Sequence, residues 1–154
     1  MRMKLYLLLI LSVCWFSPAY PQSASKSTLV GNVTNKAVVG GCGCYFRFRG
    51  QRDTGEYMFY EGIEKQTGVW MNIDGRDVKL RVINDWGSRE RERVGSRSRR
   101  NFAAQNISVQ STYVVTRVCA AADEDCESHD YAATFIVRKG KRVQTAKAVG
   151  VCGC

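Results

Sequence analysis

A pair of Cys-Gly-Cys triplets constrains this chain most: Cys42-Gly43-Cys44, and Cys152-Gly153-Cys154 as the last three residues of the sequence. Alternate residues of a β-strand face the same way, so an extended triplet sets both its sulfurs on one face. The runs leading into them, Ala37-Val38-Val39-Gly40-Gly41 and Ala148-Val149-Gly150-Val151, are alike in apolar and glycine content, which predicts similar surroundings. If the two strands are neighbours, four sulfurs gather in one small area. They can then form two cross-strand disulfides or one thiolate metal site. Antiparallel neighbours place Cys42 opposite Cys154 and Cys44 opposite Cys152; parallel neighbours exchange the partners. Directly opposed positions hold their Cβ atoms at the separation a disulfide needs, whereas a bond within a triplet demands a strained small ring.

The compartment decides between the two chemistries. Arg2 and Lys4 precede an apolar run from Leu5 to Phe16, and Ser17-Pro18-Ala19 supplies small residues before a cleavage point. This is the pattern of a secretory signal over residues 1–19, with an apolar run too short to span a bilayer. Cleavage removes Cys14 and leaves six of the seven cysteines. Export to an oxidising compartment, secreted or periplasmic, favours pairing of all six. Cys119 and Cys126 flank residues 120–125 between two strand-like runs, so a hairpin brings them together. The metal alternative is copper or zinc on Cys42, Cys44, Cys152 and Cys154, because soft thiolates suit both ions. The single histidine, His129, is expected in a different loop and adds nothing to that set. Otherwise no cofactor is expected.

After a loose leader at residues 20–28, almost every run has strand character, and no stretch of ten or more residues carries a helical period. The expectation is a single all-β domain over 29–154: a disulfide-stapled, small antiparallel barrel or sandwich of about seven to eight strands. Both prolines, Pro18 and Pro21, fall near the signal boundary, so turns must rest on Gly, Asp and Asn. Asp74-Gly75 suits a two-residue type I′ hairpin. That turn sets Met71 against Val78 and Val69 against Leu80 on one face, and Asn72 against Asp77 on the other. Turn chemistry and apolar pattern agree on the same register.

Residues 87–101 break the pattern. Arg89, Arg91, Arg93, Arg97, Arg99 and Arg100 share this stretch with Glu90 and Glu92, and little in it is apolar. An exposed Arg-rich loop is expected, with strand resuming at Ile107. Arginine suits bidentate contact with carboxylate or phosphate. Removing the signal takes two of the 23 basic residues and no acid, so the formal charge falls from +9 to +7. An acidic partner is favoured: protein, polysaccharide or lipid surface. Nucleic acid is disfavoured by export and because no aromatic-rich recognition motif accompanies the arginines; Trp86 at the edge of the stretch is expected to pack on the barrel as a hinge rather than to stack on a base. A second loop, with Asp123, Glu124, Asp125, Glu127 and Asp130, matches no calcium-binding spacing. Asn32-Val33-Thr34 and Asn106-Ile107-Ser108 are glycosylation sequons that count only in a eukaryotic pathway.

Nothing in the chain assembles an enzyme. There is one histidine, no Gly-x-Ser-x-Gly nucleophile and no phosphate-cradling glycine loop before a helix. The sequence therefore points to a non-enzymatic, exported binding protein of the envelope or extracellular space that meets an anionic partner through its arginines. Its alternatives are a soft-metal or thiol-redox protein built on the triplets, and a structural envelope component.

Overall fold

The computed structural model describes residues 28–63, 68–86, 93–120, 123 and 126–154. The secretory signal, nearly all of the leader, and Arg89, Arg91, Glu124 and Asp125 lie outside the described residues. The described chain folds into nine strands: β1 (Val30–Gly31), β2 (Gly43–Phe48), β3 (Phe59–Gly62), β4 (Val69–Ile73), β5 (Arg76–Trp86), β6 (Arg97–Ala104), β7 (Ile107–Arg117), β8 (Ser128–Lys139) and β9 (Arg142–Gly153). A short 3-10 turn, Lys36–Val38, precedes β2.

Strands β2 to β9 form an antiparallel meander, each paired with the next in sequence. β9 then pairs with β2 from Gly43↔Gly153 to Phe48↔Ala148, closing an eight-stranded barrel. Closure removes the edges that an open sheet would leave for foreign strands. β1 is the extra strand. β3 covers Val69 to Met71 of β4, and β1 takes over at Asn72 and Ile73. Of the two architectures open to the sequence, the structure takes the barrel.

Local chemistry explains the register. Asp74 (φ 54°) and Gly75 (φ 74°) both adopt the positive φ of a type I′ turn, and β4–β5 pairs Val69↔Leu80, Met71↔Val78 and Asn72↔Asp77 as the hairpin requires. Two further connections, Gln105-Asn106 and Gly140-Lys141, are equally short. β7 alternates strictly: Ile107, Val109, Ser111, Tyr113 and Val115 are buried, while Ser108 and Gln110 are exposed.

Aromatic rings fill the interior. Phe46 packs on Phe59, Tyr113, Tyr131 and Phe135 with centroids 5.3–6.5 Å apart, and Phe59 and Phe135 approach to 4.8 Å. Small residues on the last two strands, Ala133, Ala146 and Ala148, make room for those rings. This barrel is a packed core rather than a container. An inner void lined by Cys44, Glu61, Arg100 and Tyr113 measures about 20 Å³, barely the space of one water.

Residues 32–42 lie against the outside of β2, β3 and the start of β5 as a strap. Asp77 accepts hydrogen bonds from the Thr34 and Asn35 backbone N–H groups, the Thr34 hydroxyl and the Asn72 amide. Burial, the largest single influence, pushes the Asp77 carboxyl up, but these donors together outweigh it and hold it below the usual carboxylate range. Further along, the Tyr60 hydroxyl donates to the Gly40 carbonyl at 2.5 Å and the Tyr45 hydroxyl to the Gly41 carbonyl. Tyr60 points away from the barrel axis yet is fully buried, because the strap covers it.

Candidate anion-binding face

The two ends of the barrel differ. Three connections at one end are the two-residue turns 74–75, 105–106 and 140–141. The opposite end carries the longer connections 63–68, 87–96 and 118–127, together with both cysteine triplets.

All six cysteines pair at this end. The antiparallel option holds: Cys42 joins Cys154 (Cα–Cα 4.3 Å) and Cys44 joins Cys152 (4.0 Å). Cys119 joins Cys126 across the mouth of its hairpin. The Cys44–Cys152 disulfide lines the inner face of β2 and β9, with Cys44 buried in the core, and Cys42–Cys154 joins the residues just beyond the ends of these strands. Gly43 and Gly153, opposite each other between the bridges, face neighbouring backbone instead. A Cβ on Gly43 would stand 2.6 Å from the Glu61 carbonyl oxygen, and one on Gly153 2.1 Å from that of Glu127. The glycine in each triplet is what lets the adjacent chain close in.

His129 departs from its expected loop. It stands on β8 in register with Cys152, while Glu61 on β3 is in register with Cys44. The inner row at the barrel mouth therefore runs His129, Cys152, Cys44, Glu61. Among the described residues no group of three or more His, Cys, Asp or Glu side chains is arranged to hold a metal. In the acidic loop, Asp130 belongs to β8 and holds Arg117 through two hydrogen bonds of 2.8 and 3.0 Å.

The arginine stretch needs the largest correction. Strand resumes at Arg97, not at Ile107: β6 spans Arg97–Ala104 and pairs with β5 and β7 along its length. Strand alternation then divides the arginines that composition had grouped. Arg97 and Arg99 point out and are exposed; Arg100 points in and is buried. The Arg100 guanidinium forms an ion pair with Glu61, the two side chains 11% and 12% exposed, and lies over the Phe102 ring. Arg100 is thus a structural residue of the barrel mouth and not part of an anion-binding surface. A low apolar content hid the strand, because the inward positions here are Ser98 and Arg100.

Outside, the ladder registers align residues in rows across five strands. One row reads Arg99, Thr112, Thr134, Lys147, with Arg49 joined on by its backbone N–H to the Lys147 carbonyl at 2.9 Å. The next reads Arg97, Val114, Ala132, Val149, Arg47. Neither row holds a carboxylate. Arg47 is paired with Asp53 at 2.8 Å from beyond the row, but no described carboxylate approaches Arg49, Arg97, Arg99 or Lys147 within ion-pair distance. Arg49, Arg97 and Lys147 border a shallow concavity of about 250 Å³ whose floor includes Thr112, Thr134, Val114 and Ala132. Lys147 and Arg49 were not among the residues singled out from sequence, since each is an isolated cation there; only the register joins them to β6. The strap's hydrogen bonds fall on Tyr45, Tyr57, Tyr60 and Asp77, away from this face, which is the bare one among the described residues.

Comparison with protein-family models, with curated proteins and with solved structures finds no match to this chain.

Proposed function

We propose that this protein is an exported, non-enzymatic binding protein of the cell envelope or extracellular space, and that it contacts an anionic partner through the outward arginines of β6. The observation that carries this reading is the cationic face: Arg97 and Arg99 stand on a strand, joined by Lys147 and Arg49, with no carboxylate among the described residues within ion-pair distance of them. Exposed cations that lack internal partners keep their charge for something else. Three disulfides agree with an oxidising extracellular or periplasmic setting.

The test is binding of the protein to heparin and to acidic vesicles, before and after Arg97→Ser with Arg99→Ser. Weakening on the order of 1 kcal/mol per lost charge is expected at a lipid surface, together with loss of wild-type binding as salt rises. Undiminished binding by a folded double variant would remove the main support for this reading.

The inner row favours a second reading. With His129 in register beside Cys152 and Glu61 beside Cys44, reduction of the seam would leave thiols, an imidazole and a carboxylate along one row, a donor set suited to zinc or copper. Thiol titration of the unreduced protein, coupled to metal analysis, tests it. Six paired cysteines and no bound metal would leave the binding reading alone.

A further inference from the structure

Building on the anion-binding reading, we infer that the bare face takes a linear anionic glycan lying across the strands, with its acidic groups at the two margins and its hydroxyls on the floor. Charge distribution is the first argument. The cations occupy the ends of the rows, Arg97 and Arg99 on β6 and Lys147 and Arg49 at the β9–β2 seam. Between them lie neutral positions on β7 and β8. At the ordinary strand spacing, β6 and β9 are about 14 Å apart and the whole row spans roughly 19 Å. A polyanion with a charge every few ångströms, as along a nucleic-acid strand at about 3.4 Å per phosphate, would leave several charges over neutral ground. A glycan whose acidic groups are spaced by neutral sugar units fits the pattern.

The floor supplies the second argument. Thr112 and Thr134 are directly opposed, both outward, and neither hydroxyl has a hydrogen-bond partner among the described residues. Two adjacent hydroxyls can exchange hydrogen bonds with sugar hydroxyls. Among the described residues that line the floor there is no aromatic ring on which a base could stack, which nucleic-acid strands generally require of such a surface; Trp86, in register with Arg99 on β5, stands beyond the margin. Nor does it present an apolar wedge to a membrane. The apolar positions of the second row, Val114, Ala132 and Val149, are half-buried; the exposed large apolar side chains, Ile63 and Val94 on connections at the barrel end, Val82 and Ile83 on β5, and Val143 and Val151 on β9, stand in neither row.

The experiment measures binding of size-graded sulfated oligosaccharides by calorimetry at low salt. Polyphosphate, single-stranded DNA, an acidic peptide and anionic vesicles of phosphatidylserine serve as the other arms. Three double variants are compared: Arg97→Ser with Arg99→Ser, Arg49→Ser with Lys147→Ser, and Thr112→Val with Thr134→Val. All six positions point outward, and retained melting temperature confirms that each variant folds. Each charge pair should weaken oligosaccharide binding roughly tenfold, and affinity should rise with chain length until the roughly 19 Å row is spanned. The threonine variant should weaken the oligosaccharide several-fold and leave polyphosphate unchanged. If only the Arg97 and Arg99 pair matters, the row is overturned while the anion reading stands. The same holds if DNA, peptide, polyphosphate or vesicles bind more tightly than the oligosaccharide at matched charge. If no probe binds, both readings fall together.

Discussion

Arg99 and Arg100 are consecutive residues on opposite sides of the barrel wall. Arg99 projects from the outer face, and Arg100 closes the inner mouth on Glu61. Their substitution should therefore give opposite results. Arg99→Ser should change stability by no more than about 0.5 kcal/mol, as surface changes usually do. Arg100→Ser leaves the Glu61 carboxylate buried without its cation and should cost about 3 kcal/mol or more. Urea denaturation of the two variants decides it. Pairing Arg100→Met with Glu61→Leu should recover much of the loss, since removing both charges leaves neither stranded. Equal effects of the two single changes would contradict the alternation of β6.

The seam bridges close nearly the same loop. Cys42–Cys154 and Cys44–Cys152 span sequence separations of 112 and 108. In the chain-entropy view, the first cross-link restrains the unfolded chain by about 4–5 kcal/mol, and the second adds little because the ends are already tied. Cys42→Ser with Cys154→Ser should thus cost about 1 kcal/mol or less. Removing all four cysteines should cost roughly the full 4–5 kcal/mol and some packing at Cys44. Denaturant midpoints of the two variants' unfolding transitions test this ordering. A large loss on removing the outer bridge alone would show that it does more than close the loop.

The legible parts of this fold were those fixed by local chemistry. Asp74-Gly75 set the β4–β5 register because turn type and apolar alternation gave the same answer. The triplets located the closing seam because sulfur spacing and strand period coincide. Polar strands were not legible. The inner positions of β6 begin with Ser98 and Arg100, the latter ion-paired inside with Glu61, so composition resembled a loop. The cationic face was hidden for a different reason. Lys147 and Arg49 are far from Arg97 in sequence, and only the accumulated register of four ladders brings them onto one surface. His129 was misplaced because β8 begins at Ser128, two residues after Cys126, earlier than its apolar pattern suggests.

Acid should loosen the strap before the barrel. The Asp77 carboxyl is held below its usual range in the folded protein despite its burial. A depressed folded value contributes stability above the ordinary aspartate range, near pH 3.9, and that contribution is lost as pH falls through the folded value. Melting temperature should be steady from neutral pH to about 5 and decline below about 4. Asp77→Asn should be less stable at neutral pH, with a shallower acid decline. Parallel acid slopes in the two proteins would show that Asp77 is not a principal acid-sensitive anchor.

Alkali should act on the same strap from its other anchor. Burial raises the Tyr45 hydroxyl to about 12, helped by its neighbours Tyr60 and Tyr57, whose rings lie 5.0 and 5.1 Å away. A folded value above the unfolded one, near 10, means that the contribution is complete below pH 10 and is lost as pH rises toward 12. The Tyr45 hydroxyl also donates to the Gly41 carbonyl, a bond that needs the neutral phenol. Ultraviolet titration should therefore show at least one tyrosine resisting ionisation beyond pH 11, and Tyr45→Phe should remove that late step. The variant should also be less stable at neutral pH, because Gly41 loses its donor, yet lose less stability than the wild type between pH 10 and 12. If Tyr45→Phe leaves the late tyrosine in place, the hydroxyl ionises freely and the strap is anchored on this side by Tyr60 alone.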